Sequence, residues 1–337
     1  MATGKVARRT AVGDVAALLD SPEIVALIAE LDTLRDTRGN KGYGARALVG
    51  ACLVKTLLAL PTWTRVTALI AEHPGLQATL GGSPSVWACY RFSVKLRANR
   101  PALSACLDAF AASLRAEYPD MGRDIAIDAS DLQAFANGQR YVSKGGPERE
   151  RFSDPDASWG HRSAVSTRKG GGFYGYKIHA AVCARTGLPL AWRIETARRH
   201  ESLYIAPLLD AVHARGFRAE TCAADKGYDN NRIYAECEER DCAAIIPLRS
   251  VREVQLVLPV GIPGRLNPRI PRNTDQFRSL YCGRAAVERE FGRLKHDYGL
   301  APLRVRGLER VQLHADLTML ARLGQALSRA REVPLAA

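Results

Sequence analysis

With 337 residues, 47% of them hydrophobic and 25% charged, the chain has the composition of an ordinary globular protein, long enough for two or three domains with their own cores. It contains no apolar run long enough to span a bilayer and no basic amphipathic segment with a hydrophobic anchor, so no membrane partner is expected. The formal net charge of +13 points instead to a polyanion, and nucleic acid is the commonest one for a basic intracellular protein.

The eight cysteines are scattered among apolar residues with no CxxC pair, which argues against a disulfide framework or a zinc site and for buried, reduced thiols. The N-terminus has no signal-peptide layout, so a cytoplasmic location is expected.

Residues 1 to about 120 read as helical. Apolar positions recur at helical spacing over 15–19 and 24–31. A polar, glycine-rich break at 35–44 leads to a strongly apolar helix over 45–60, stopped by Pro61, and a shorter one over 64–72, stopped by Pro74. Next comes Gly81-Gly-Ser-Pro-Ser85. Taking Ser83 as the cap and Pro84 as the first helical residue, it predicts a helix carrying Arg91, Lys95 and Arg97 with Trp87, Tyr90 and Phe92. After a short helix and a tight turn, this would be the second helix of a helix-turn-helix DNA reader; it suits an ordinary bundle helix equally well. One more helix spans 101–117.

The texture changes at Asp124-Ile-Ala-Ile-Asp128-Ala-Ser, which alternates like a half-buried strand ending in an acid. A polar, basic loop covers 132–172. Strands resume as a hairpin over 176–183 and 190–195, turning at Ala184-Arg-Thr-Gly187. His200 precedes an apolar helix over 204–213, where a cap or surface role is the commoner one. Residues 219–225 form a fourth strand ending in Asp225. Lys226-Gly-Tyr-Asp229 is a tight turn, with Asp229 the expected cap of a helix over 230–238. Residues 243–246 form a fifth strand, and 249–277 a basic loop.

The stretch Tyr281-Cys-Gly-Arg284-Ala-Ala-Val-Glu288-Arg-Glu-Phe-Gly-Arg-Leu-Lys295 then reads as a helix from about Arg284, with Val287, Phe291, Leu294 and Tyr298 on its apolar stripe. Tyr281, Glu288 and Lys295 are spaced by sevens, and Arg284 is one turn before Glu288. One face thus shows a carboxylate flanked by a phenol, a guanidinium and an ammonium, while Glu290 and Arg293 point elsewhere. A solvated helix with internal salt bridges explains the same charges. A long C-terminal helix closes the chain.

Asp128 and Asp225 end strands, and Glu288 sits on a late helix. A single aspartate at a strand end is more often a turn-former or cap. Three carboxylates brought together across a sheet, however, are oxygen ligands suited to Mg²⁺ or Mn²⁺, and two such ions can serve an in-line phosphoryl displacement.

Together these residues resemble the DDE transposases of bacterial insertion sequences, in the group marked by a Y-R-E-K pattern. That pattern has gaps of two, three and six residues, which Tyr281, Arg284, Glu288 and Lys295 meet. Asp225-Lys-Gly-Tyr-Asp resembles the family's second-aspartate motif, and Ile127-Asp128-Ala-Ser its first. Gly175-Tyr-Lys-Ile-His with Thr186-Gly-Leu-Pro-Leu resembles its strand hairpin. The likeness covers about 120–325.

It implies an α/β, RNase H-like mixed five-stranded sheet flanked by helices over 121–337, with the basic loop at 132–172 and the C-terminal helix, preceded by an all-α DNA-binding domain over 1–120. It implies Asp128, Asp225 and Glu288 as catalytic metal ligands for Mg²⁺ or Mn²⁺, two ions in all. Tyr281, Arg284 and Lys295 would contact DNA phosphates. The implied reaction is nicking at the element's ends, then attack of the freed 3′-OH on target double-stranded DNA by a homodimer. The short span from Asp225 to Glu288 leaves little room for the β-rich insertion of some relatives. A nuclease of the same fold would use the same triad, and a non-catalytic DNA-binding descendant would explain the charge.

Overall fold

The computed structural model describes residues 10–34, 42–162, 169–249 and 264–332. Parts of the polar break at 35–44, of the basic loop at 132–172 and of the loop at 249–277 therefore lie outside the described residues. The chain divides into two compact units, one of 1–113, 294–300 and 313–337, the other of 114–293 and 301–312. From residue 313 onward, the C-terminal helix assigned by sequence to the second domain groups with the first.

The helical unit opens with α1 (Ala11–Leu19), α2 (Pro22–Thr33), α3 (Ala45–Leu57), α4 (Trp63–Glu72), α5 (Pro74–Leu80), α6 (Val86–Ala98) and α7 (Arg100–Glu117), the last continuing into the other unit. In α2, the Ser21 hydroxyl accepts from the Ile24 N–H and Pro22 takes the first turn, where no N–H is needed. Helix α3 is largely apolar, with Val49, Ala51, Leu53 and Val54 all buried, as befits a central helix. Leu53 there is worth about 1.5–3 kcal/mol of hydrophobic stabilisation. At Gly50 a Cβ would lie 2.6 Å from Leu80 Cγ, so only glycine lets α5 approach so closely.

Helix α5 ends at Gly81 in the left-handed conformation. Helix α6 then starts two residues later than expected, because Ser85 rather than Ser83 is the cap, accepting from the Ala88 N–H.

In the second unit, strands β1 (Asp124–Gln133), β2 (Ser158–Arg162), β3 (Gly171–Cys183), β4 (Pro189–Thr196), β5 (Thr221–Ala223) and β6 (Ala243–Ile245) form one six-stranded sheet among the described residues. β1 runs antiparallel to β3 and parallel to β5, and β5 runs parallel to β6. On its other edge, β3 pairs with β2 through 171–175 and with β4 through 176–182.

β2 and β4 thus share one position in the sheet, end to end, bridged by Thr196 Oγ1 donating to Ser158 Oγ at 2.5 Å. This explains five predicted strands against six found: β2 lies inside the segment read as a loop and prolongs β4. Gly175 sits where β1 and β3 come closest, and a Cβ there would lie 2.2 Å from the Leu132 carbonyl oxygen.

A 3-10 turn (Glu201–Tyr204) leads into α8 (Ile205–Ala214), which packs on β3 and β4. A second 3-10 turn (Lys226–Tyr228) and α9 (Asn231–Glu238) follow β5, and α10 (Asp275–Cys282) packs against β5 and β6. Helices α11 (Ala285–His296) and α12 (Leu308–Glu332) complete the chain, each contributing residues to both units.

This is the mixed sheet flanked by helices, behind a helical N-terminal region, that the RNase H-like expectation called for. The cysteines are all free, Cys282 exposed and the others buried. No described helix is long and apolar enough to cross a membrane.

Candidate active site

The parallel register of β1 and β5 pairs Ala126 with Ala223. Asp128 and Asp225 each lie two residues further along, so neighbouring strands deliver both carboxylates at one level, past the carboxyl end of the parallel pairing. That end is where open α/β sheets bind ligands. β1 does not stop at Asp128, as its alternation suggested, but stays paired with β3 to Gln133. What ends near Asp128 is the short partner β5, and its absence leaves the carboxylate an open side.

Asp128 is 17% exposed. Its Oδ1 accepts from the Ala129 N–H at 2.8 Å and its Oδ2 lies 3.4 Å from Arg284 Nη1. Burial pushes its pKa up to about 7, aided by the negative charges of Asp225 and Glu201 and opposed by the Ala129 N–H and Arg284.

Asp225 is a cap after all. Its Oδ1 accepts from the Gly227 N–H at 2.7 Å at the start of the 3-10 turn. Gly227 is required there, since a Cβ would meet that same oxygen at 2.8 Å. Asp229, expected to cap α9, is instead buried and accepts from the Arg249 N–H and twice from Arg265, while Asn230 caps the helix. Asp225 therefore owes its place in the site to the register with Asp128, not to freedom from capping.

The helix expected from about Arg284 starts at Ala285, but Tyr281, read as sharing its face, belongs to a separate helix before it. α10 stops at Cys282, turns through Gly283 and Arg284, and α11 starts at Ala285. A Cβ at Gly283 would lie 3.0 Å from Ala184 Cβ in the β3–β4 turn, so the break is packed against the sheet. Tyr281 and Glu288 consequently stand on different helices. Tyr281 stacks on Phe277 with ring centroids 6.1 Å apart, and Phe277 belongs to a small core with Ala223 and Ile245.

That anchoring places Arg284, 6.0 Å from the Tyr281 ring, between two acids: Nη1 faces Asp128, and Nη2 donates to Glu288 Oε1 at 2.7 Å. Glu288 is 55% exposed, whereas Glu290 is buried against Arg293. Lys295 lies on the part of α11 that groups with the helical unit.

Sequence reasoning missed three neighbours. Glu201, at the head of the 3-10 turn after β4, pairs with Lys177 at 2.6 Å. That turn touches the turn following Asp225. Tyr228 is buried with its hydroxyl unpartnered among the described residues, and the charges of Asp128, Glu201 and Asp225, after burial itself, push its phenol well up. Lys177 and Tyr228 lie within the Gly175–His179 and Asp225–Asp229 motifs, which could have flagged them; nothing local marks Glu201. His200 is the cap of its 3-10 turn, its Nδ1 accepting from the Ser202 N–H.

On α6, Arg91 is exposed, but Lys95 donates to the Leu31 carbonyl and Arg97 to that of Ser93. The face left to solvent carries Trp87, Tyr90 and Val94, at 73, 50 and 56% exposure, which is more aromatic and apolar than basic.

Among the described residues no group of three His, Cys, Asp or Glu side chains converges closely enough to hold a metal ion. The donors nonetheless fit a hard divalent cation in kind, being all oxygen, with Asp225 just past β5 raising the cost of charging Asp128 on β1. The third, Glu288, is held by Arg284.

Residues 120–323, a stretch containing all three carboxylates and the whole sheet, match the model of the Transposase DDE domain family. The chain belongs to the Transposase DDE domain family. The match begins just before β1 and ends within α12, leaving the helices before residue 120 outside it. A search of curated proteins returned no match. Membership in this transposase family gives the chain a function of the transposase or nuclease type, acting on the phosphodiester backbone.

Proposed function

We propose that the chain is the transposase of a bacterial insertion sequence, of the Y-R-E-K group, nicking DNA at the element's ends and transferring the freed 3′-OH into target DNA in the cytoplasm. The observation that carries this reading is the register that sets Asp128 and Asp225 side by side, with Arg284 joining Asp128 to Glu288.

Asp128, Asp225 and Glu288 would hold Mg²⁺ or Mn²⁺, as two ions, once Glu288 leaves Arg284. A cation there would sharpen the attacking oxygen and offset charge on the leaving one. Asp128, close to half protonated at pH 7, would give up its proton as it came to hold a cation. Arg284, released from Glu288, turns a guanidinium fork to the scissile phosphate, and Tyr281 and Lys295 contact neighbouring phosphates. Arg91 remains the exposed basic contact on α6. Joining two ends calls for a homodimer on double-stranded DNA.

The test is cleavage of the gene's own flanking DNA by purified protein in Mg²⁺, beside Asp128→Asn and Glu288→Gln. Metal-dependent cuts at the borders, lost in both variants, support transposition. Border-specific binding with no cutting in Mg²⁺ or Mn²⁺ would favour a binding-only descendant. Even cutting of unrelated DNA would favour a nuclease.

A further inference from the structure

In a chain this basic, the informative cations are those its own acids leave unmatched. Many arginines of the α/β unit have a carboxylate partner, among them Arg123 with Glu220, Arg140 with Glu148, Arg162 with Asp131, Arg193 with Glu195, Arg240 with Asp210 and Arg269 with Asp241. Arg304 and Arg306 have none among the described residues. Both are exposed, and both guanidinium carbons lie over one ring, that of Phe135, at 5.2 and 5.1 Å.

Phe135 is itself 41% exposed, and its carbonyl accepts from Arg306 Nε at 2.6 Å. Holding two like charges this close is unfavourable unless an anion lies between them.

The arrangement is fixed by its surroundings. In 303–306, Leu303 is buried and Val305 half-buried, while the arginines alternate outward with a period of two. The segment is pinned just beyond, where the Gly307 N–H donates to the fully buried Asp154 and the Leu308 N–H to Asp156. A guanidinium lying on an aromatic ring keeps its donors free and loses less freedom on binding.

Phe135 is reached by β1 running on from Asp128. Strand rise puts Gln133 about 17 Å from that carboxylate. A duplex advances 3.4 Å per base-pair step, so about five steps cover the same distance.

We propose that Arg304 and Arg306, preorganised on Phe135, form a clamp for the phosphate backbone of double-stranded DNA lying beyond the acidic site. The proposal rests on the DNA-transposase reading above and adds a contact surface to it. It needs no sequence readout: each arginine neutralises a phosphate and releases its counterion.

The experiment measures binding of the full chain to a labelled duplex of about 30 base pairs and to a single strand of that length, between roughly 50 and 200 mM salt. The Arg304→Gln/Arg306→Gln double variant is expected to lower the slope of log K against log salt by about 1.8, or 0.9 per phosphate lost. Arg304→Gln alone, which removes no hydrogen bond seen here, should lower it by about 0.9 and serves if the double variant folds poorly. Phe135→Leu should weaken duplex binding several-fold with the slope kept.

An unchanged slope in folded variants, with wild type binding and cutting DNA, overturns the clamp and leaves the transposase reading intact. Loss confined to the single strand in Phe135→Leu also overturns it, in favour of a base-stacking platform. A wild type that neither binds nor cuts DNA overturns both.

Discussion

Replacing Asp128 with asparagine should make the metal-free protein more stable, and only at neutral and higher pH. Ionising Asp128 takes place near pH 7 in the folded chain against an ordinary value of 3.8. At about 1.4 kcal/mol per pH unit, the folded state carries a penalty on the order of 4 kcal/mol once the group is charged.

The sign follows from proton counts. Below 3.8 both states hold the proton and there is no penalty. Between 3.8 and about 7 the unfolded chain gives it up first, so stability falls as pH rises. Above 7 the loss is complete and constant.

Asparagine keeps an oxygen for the Ala129 N–H but gives up the attraction of Arg284, so a net gain of about 1–2 kcal/mol is expected at pH 8. That corresponds to a few degrees in Tm. Thermal melts of wild type and Asp128→Asn in EDTA, at pH 5 and pH 8, read the effect directly. Mg²⁺ at pH 8 should raise the wild-type Tm and leave the variant unmoved. A variant destabilised equally at both pH values would refute the argument, because it would mean that Asp128 bears no burial penalty.

Three further outcomes are expected. Arg284→Gln removes a cation that touches both Asp128 and Glu288, and border cleavage should fall about 100-fold or more, an unchanged rate counting against its role at the scissile phosphate. Tyr228→Phe removes a buried, unpartnered hydroxyl, so metal-free stability should rise by about 1 kcal/mol in urea unfolding; a drop would reveal a partner for that oxygen. Gly175→Ala drives a methyl into the Leu132 carbonyl across the β1–β3 pairing, and because the obstacle is backbone the loss should reach about 3 kcal/mol, with near-wild-type melting ruling out so close an approach.

The parts of the fold written in short-range pattern were readable. The alternation at Asp124–Asp128, the hairpin between Cys183 and Pro189 and the strand leading to Asp225 all depend on neighbours in sequence, and each forms, although β1 runs on to Gln133 and β5 is confined to Thr221–Ala223. β2 was not readable, because Ser158-Trp-Gly-His-Arg162 has little strand character of its own and forms by lining up beside β4 along β3.

The break between α10 and α11 was hidden for a similar reason. Gly283 keeps helix-like angles, φ −59° and ψ −22°, and the turn shows only in the three-residue hydrogen bonds from Gly283 to Leu280 and Arg284 to Tyr281, with Ala184, far away in sequence, close by. Asp128 and Asp225 were picked for the wrong local reasons, a strand end and an unused cap, but the register between their strands brings them together regardless. Lys95 and Arg97 were read by spacing as a DNA face; Lys95 donates to the distant Leu31 carbonyl and Arg97 to Ser93 one turn back on its own helix.

Glu201 is the residue through which the energetics of the site can be adjusted without touching its three predicted carboxylates. Its charge raises the Asp128 pKa, and its partner Lys177, only 12% exposed, holds it in place. Glu201→Gln keeps the size and one oxygen for Lys177 while deleting the charge. The Asp128 pKa must then fall, so at pH 7 more of the carboxylate is already ionised in the metal-free protein. A cation binding there has fewer protons to displace.

Wild type at pH 7 should therefore release about half a proton from Asp128 on binding Mn²⁺, measured by calorimetry in two buffers of different ionisation enthalpy. Glu201→Gln should release less and Asp128→Asn none from this position. Equal release in wild type and Glu201→Gln would show that the Glu201 charge is screened from Asp128.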